Sequence, residues 1–281
     1  MPVPLTPSST GYVTGNAAAV TGAWYAYGDS WGTEMEMGMA GVAGEEGNCQ
    51  LLGGFPTSSC SSITSPLPAF PVDAGTAAAG DAAAATDAAL MVPAGYDNGF
   101  PPSATGAMCL TGNAAKVITP DGGTAPDYSD IFGIGIGLDF NNMGGVKSAY
   151  NATANKVVGV TFTLSGVSTL PSGSLRVEFP TTQTEDGGAH PTDDSYDIQP
   201  AADGSYTVLW TQFAGAPVVI PAPDANISYI PPVDGGLAAE PPFDPTQLLS
   251  IQFHVATNTM AAIPVMNLCV SNLNAIVSTS M

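Results

Sequence analysis

From Gly133 onward the chain repeatedly alternates apolar residues with polar residues or glycine. Ile134, Ile136, Leu138 and Phe140 alternate with Gly133, Gly135, Gly137 and Asp139. Val158, Val160, Phe162 and Leu164 alternate with Val157, Gly159, Thr161 and Thr163. The same period returns at Leu175, Val177 and Phe179, at Tyr206, Val208 and Trp210, and at Ile251, Phe253 and Val255. A period of two is that of an extended chain with one buried face, and no helical or heptad period competes with it. Turn sequences such as Pro171-Ser172-Gly173 and Ala202-Asp203-Gly204 separate the runs. Short strands spaced by such turns predict an all-β fold, an antiparallel β-sandwich. A short strand at Ala115–Ile118 and a long one at Val265–Val277 complete the expected set.

The first third reads differently. Residues 1–20 are small and polar and are expected to form an arm. Residues 21–281 are expected to form one β-sandwich domain, opening on the aromatic strand Trp24-Tyr25-Ala26-Tyr27. Residues 29–108, rich in Gly, Ala, Ser and Pro, form a long loop-rich insertion, expected to wrap the surface and to contain short strands. A structureless loop of this length is rare inside a compact domain.

Charge narrows the partners. The chain has 281 residues, with 24 acidic and 4 basic side chains and a formal net charge of −20. Nucleic acids and anionic membranes recruit Lys and Arg, so this balance argues against both. No run of about 18 apolar residues is present, so no membrane span is expected. Four cysteines, Cys49, Cys60, Cys109 and Cys269, have neither CxxC spacing nor a histidine nearby in sequence. That favours two disulfides over a metal site, with Cys49–Cys60 and Cys109–Cys269 preferred among three pairings. The composition suggests a secreted or cell-surface protein. Met1-Pro2-Val3-Pro4 lacks a signal-peptide pattern, so the expectation is a mature form whose leader has been removed.

Parity then yields a candidate site. If the late strands share a sheet, Asp139, Thr161, Thr163, Arg176, Glu178, Gln252 and His254 stand together opposite the apolar set. Arginine and histidine are scarce here, so one of each on one face is informative. Hydroxyl-rich ligands suit such a face, because Arg and carboxylates form bidentate hydrogen bonds and aromatic rings stack on sugar C–H surfaces. Trp24, Tyr25, Tyr27, Trp31 and Trp210 are the candidate stacking rings, with Trp31 carried into the ligand-binding set. Gly133, Gly135 and Gly137 would let a ligand or loop approach the backbone. Catalysis has less support: Glu178 with His254, or Asp139 with Glu178, are the acid–base pairs available. Asp29 and Asn272 are candidate oxygen ligands for a structural Ca²⁺, as are the acidic runs Glu185-Asp186 and Asp193-Asp194. Asn151-Ala152-Thr153 and Asn226-Ile227-Ser228 match the glycosylation pattern.

Several blocks carry a resemblance. They are Gly22-Ala23-Trp24-Tyr25-Ala26-Tyr27-Gly28-Asp29, Gly133 to Asn142, Leu175 to Pro180, Phe243 to Val255, and Cys269-Val270-Ser271-Asn272-Leu273. Together they resemble exported bacterial, myxobacterial-type proteins with a carbohydrate-binding-module-like jelly roll of galactose-binding type. The resemblance implies a concave sheet face that binds glycans, and a frequent structural Ca²⁺. Related last strands often carry adjacent acidic residues, where this chain has Ser271-Asn272. The leading expectation is a non-catalytic domain that binds a polysaccharide or cell-surface glycan. A structural surface protein assembling into homo-oligomers or filaments comes second, and a polysaccharide hydrolase or lyase third.

Overall fold

The computed structural model describes residues 1–9, 11–28, 61–65, 102–103, 105–116, 133–142, 147–184, 196–213, 227–230, 243–258 and 260–279. In chain order the strands are β1 (Pro2–Pro4), β2 (Tyr12–Val13), β3 (Gly22–Gly28), β4 (Ser62–Ser65), β5 (Met108–Ala114), β6 (Gly133–Asp139) and β7 (Val157–Ser165). There follow β8 (Leu175–Phe179), β9 (Tyr196–Pro200), β10 (Gly204–Leu209), β11 (Ile227–Ile230), β12 (Ser250–Ala256) and β13 (Ile263–Val277). They form two antiparallel sheets. One runs β10-β7-β13-β5-β4, with β1 also beside β13, and the other runs β11-β9-β8-β12-β6-β3-β2. The expected antiparallel β-sandwich is therefore the fold.

The apolar parity of both sheets points inward. Ile134, Ile136, Leu138, Val177, Ile251, Phe253 and Val255 from one sheet meet Val160, Phe162, Leu164, Val208, Leu268 and Val270 from the other. An aromatic ladder joins the layers: Trp24 stacks on Phe253 at 6.3 Å, and Phe253 meets Phe162 edge-on at 5.2 Å. Phe162 in turn stacks on Tyr206 at 5.6 Å. Each such buried ring contributes about 1.5–3 kcal/mol relative to exposure. Trp210 sits not in a strand but in a 3-10 turn, where its ring packs on Phe179 and its Nε1 donates to the Val157 carbonyl.

Residues 1–20 are not an arm. β1 pairs with β13, the Leu5 amide donates to the Leu273 carbonyl, and Leu5, Val13, Ala18 and Val20 are core residues. The buried Tyr150 hydroxyl donates to the Ala18 carbonyl, and burial pushes that phenol up to about 12, outweighing the opposing hydrogen bond with Asn155. Four apolar residues scattered among small polar ones show no period, which is why they read as an arm. The insertion contributes β4, paired to β5. Of the strand expected at Ala115–Ile118, Val117 and Ile118 lie outside the described residues; β5 ends at Ala114, and Lys116 makes an isolated bridge to Asn258.

The long β13 shifts register at three places, the last between Ile276 and Val277 against β7. The first two lie between Val265 and Leu268 against β5, and between Ser271 and Asn274 against β7. Asn267 and Asn272 occupy these two slips with φ of 54° and 51°. Asparagine enters the left-handed region more readily than other non-glycine residues, and an extra residue there increases the local twist. Between these two slips, Cys109 and Cys269 are opposite each other and joined by a disulfide. The second expected pairing is thus present, while Cys49 and Cys60 lie outside the described residues.

Candidate functional site

The outer face of the seven-stranded sheet collects most of the side chains that parity assigned to it. Register sets two polar rows. In the first, Asp197 of β9 stands opposite Glu178 of β8, which stands opposite Gln252 of β12. Gln252 is opposite Gly137 of β6, and Gly137 is opposite Tyr25 of β3. In the second row, Arg176 is opposite His254, and His254 is opposite Gly135. Asp139 lies at the end of β6, opposite Ser250.

The two carboxylates Glu178 and Asp197 therefore face each other across the strands, as do the two basic side chains Arg176 and His254. Such direct pairs are unfavourable. The wall resolves this diagonally. His254 Nδ1 lies 2.9 Å from Glu178 Oε1, and Arg176 Nε lies 3.8 Å from Asp197 Oδ2. A third pair sits at the strand end: Lys147 Nζ is 3.9 Å from Asp139 Oδ1, and Asn142 Nδ2 donates to Asp139 Oδ2 at 2.8 Å. Burial is uneven. Asp197 is 2% exposed and Asp139 4%, whereas the Arg176 side chain is 32% exposed. Burial pushes the Glu178 carboxyl up. The charge of His254, its hydrogen bond and the charge of Arg176 outweigh this and hold it below its ordinary value.

Tyr25 supplies the aromatic surface. Its hydroxyl accepts from Gln252 Nε2 at 2.9 Å, so the ring lies across β6. Only glycine permits this: a Cβ on Gly137 would come 2.5 Å from Tyr25 Cζ. The bare glycine strand is thus covered, at this position, by the protein's own ring rather than left open to a ligand. Gly133, with φ of 135°, has no space for a side chain against the Val255 carbonyl, 2.1 Å from an added Cβ. Lys147 lies 5.9 Å from the Tyr25 ring centroid, within reach of a cation–π contact.

The structure divides the expected set. Asp139, Arg176, Glu178, Gln252 and His254 share the wall. Thr161 and Thr163 do not, because β7 belongs to the other sheet. Period-two alternation tells which side of a strand a residue takes, not which sheet holds the strand. Asn272 is an exposed bulge residue on that other sheet, and its amide donates to Thr163 Oγ1 at 3.4 Å. The strands of that sheet carry no carboxylate, and Asp29, the other expected oxygen ligand, lies outside the described residues. Among the described residues no cluster of three or more His, Cys, Asp or Glu side chains fits a metal. Asp29, Trp31, Glu185-Asp186 and Asp193-Asp194 lie outside the described residues. Trp24 and Trp210 are core rings.

Sequence reading missed Asp197, Lys147, Asn142 and the placement of Tyr25. Asp197 sits on β9, whose Tyr-Asp-Ile-Gln-Pro run is short and polar. Lys147 belongs to no strand and arrives through a bridge with Asn142. Tyr25 was legible, since Trp24 beside it is apolar and buried, and parity then turns Tyr25 outward. Comparison of the chain with models of known protein families, with curated proteins and with solved structures finds no match in any of the three.

Proposed function

We propose that this chain is a non-catalytic carbohydrate-binding β-sandwich of an exported protein, of the kind its sequence blocks resemble. It reads a polysaccharide or cell-surface glycan on the outer wall of the seven-stranded sheet. The observation that carries this reading is the cross-strand row Glu178–Gln252–Gly137–Tyr25 with Arg176 beside it. The partly exposed Tyr25 ring offers a stacking surface, and amide, guanidinium and carboxylate groups around it match vicinal hydroxyls. A neutral polyol also suits a chain of net charge −20, since binding it adds no repulsion.

Binding fits the wall better than catalysis. A glycoside-hydrolysing acid needs a carboxyl kept protonated near neutral pH. Glu178 is shifted the other way, and Asp139 and Asp197 are engaged with Lys147 and Arg176. The test is retention on a glycan array with wild type, Arg176→Ala and Tyr25→Ala. Each substitution is expected to weaken retention by about tenfold, the value of one charge-assisted hydrogen bond or stacked ring. Absence of wild-type retention on every neutral and acidic glycan overturns the proposal.

A further inference from the structure

We infer that the outer face of the six-stranded sheet is a self-association surface that takes a second copy of this chain, face against face. This inference is independent of the glycan wall, which lies on the opposite sheet. Its basis is charge. The strands β1, β4, β5, β7, β10 and β13 contain no Asp, Glu, Lys, Arg or His, in a chain of net charge −20. Two copies repel each other wherever carboxylates meet, and the strands of this face bring none.

The face is also complementary to itself. Its central rows are hydroxyls and amides held in register: Thr163 Oγ1 lies 3.1 Å from Ser205 Oγ, and Asn274 Nδ2 donates to Thr161 Oγ1 at 3.2 Å. Hydroxyl and amide groups both donate and accept, so the same patch can pair with its own two-fold mate, as a symmetric dimer requires. Exposed apolar side chains lie on the same sheet. Among the described residues the exposed large apolar side chains are Met1, Val158, Leu209, Met260 and Met266. Val158, Leu209 and Met266 lie on strands of this sheet, while Met1 precedes β1 and Met260 precedes β13.

Size sets the strength. Nine residues of β7 beside β13 run about 30 Å, and four strands abreast span about 19 Å. The contact is then on the order of 500 Å² per copy, about 1,000 Å² in total, the lower bound for a specific interface. At this lower bound a weak, reversible dimer is expected.

The test is sedimentation velocity of the full chain at roughly 2 to 200 µM, in salt from about 0.05 to 0.5 M. Wild type is expected to shift from monomer towards dimer with concentration, and further with salt as the repulsion is screened. Ser205→Glu and Thr163→Glu, checked for folding by near-ultraviolet circular dichroism, are expected to weaken the dimer at least about tenfold. Asn151→Glu, which places the same charge on an exposed turn before β7, is expected to leave it intact. The inference is overturned by a wild type that stays monomeric throughout. It is equally overturned by a dimer that survives both glutamate substitutions, or one lost equally with Asn151→Glu. If the monomer instead binds a neutral insoluble polysaccharide and Ser205→Glu abolishes this, the face belongs to a glycan and the second copy is rejected. Retention on the glycan array should be the same for Ser205→Glu as for wild type, so failure here leaves the other wall's reading standing.

Discussion

The two sheets of this sandwich share one inward pattern and have opposite outward ones. Both bury aliphatic and aromatic residues at every second position, and both are antiparallel. Outside, the seven-stranded sheet carries Asp139, Arg176, Glu178, Asp197 and His254, while the strands of the six-stranded sheet carry no charge. Where the chain places ionisable groups on a sheet, it buries most of them and pairs them, His254 with Glu178 and Arg176 with Asp197 along diagonals. Where it leaves a face open, hydroxyls and amides fill it. A wall of paired charges suits recognition of a polar ligand, because its groups are already oriented. A neutral wall suits contact with something as anionic as the protein itself.

The largest expected effect falls on the neutral sheet. The Cys109–Cys269 bond spans a sequence separation of 160 residues, for which chain entropy gives about 5 kcal/mol. Replacing both cysteines by serine is expected to lower the urea-unfolding free energy by about 2–5 kcal/mol. Loss of less than half a kcal/mol would show that this sheet does not depend on its staple. Next is Glu178→Gln, which removes the charge facing His254 and Arg176. It should cost about 1–3 kcal/mol at neutral pH, read from the same unfolding curves.

The acid side sharpens the contrast further. Because Glu178 is held below its ordinary value of 4.5, its ionised form stabilises the fold fully above that value. This contribution disappears as the pH falls through the lower folded-state value. Glu178→Gln should therefore flatten the stability profile below about pH 4.5, whereas substitutions on the neutral sheet should leave its slope unchanged. An unchanged slope in Glu178→Gln would contradict the pairing described for the wall.

Gly137→Ala comes third. The new methyl group collides with the Tyr25 ring, so the ring must move and its hydrogen bond with Gln252 is lost. About 1–2 kcal/mol of stability and most glycan retention should go together; retention kept at wild-type level would detach Tyr25 from binding. Smallest is Asn267 on the neutral sheet. Alanine at this left-handed position should cost about 1 kcal/mol, and glycine only a few tenths, by thermal unfolding.

How much of this was legible follows from what alternation encodes. Ile134, Phe162, Val177 and Phe253 announced their strands and their inward face. The grouping of Asp139, Arg176, Glu178, Gln252 and His254 followed from the opposite parity. Sheet membership was not legible, since it depends on long-range pairing such as β7 with β13, and so Thr161 and Thr163 were grouped with the wrong neighbours. Lys147 and Asn142 reach the wall from outside any strand, where no period marks them. Leu5 and Val13 belong to the core through contacts with the far end of the chain, which a local window cannot register.

The division between the sheets is tested most directly by affinity electrophoresis of three proteins through gels containing the glycan best retained on the array. Wild type and Ser205→Glu should be retarded alike, and Arg176→Ala should need about tenfold more glycan for the same retardation. Equal retardation of Arg176→Ala, or loss of retardation in Ser205→Glu alone, would contradict the assignment of glycan binding to the charged wall.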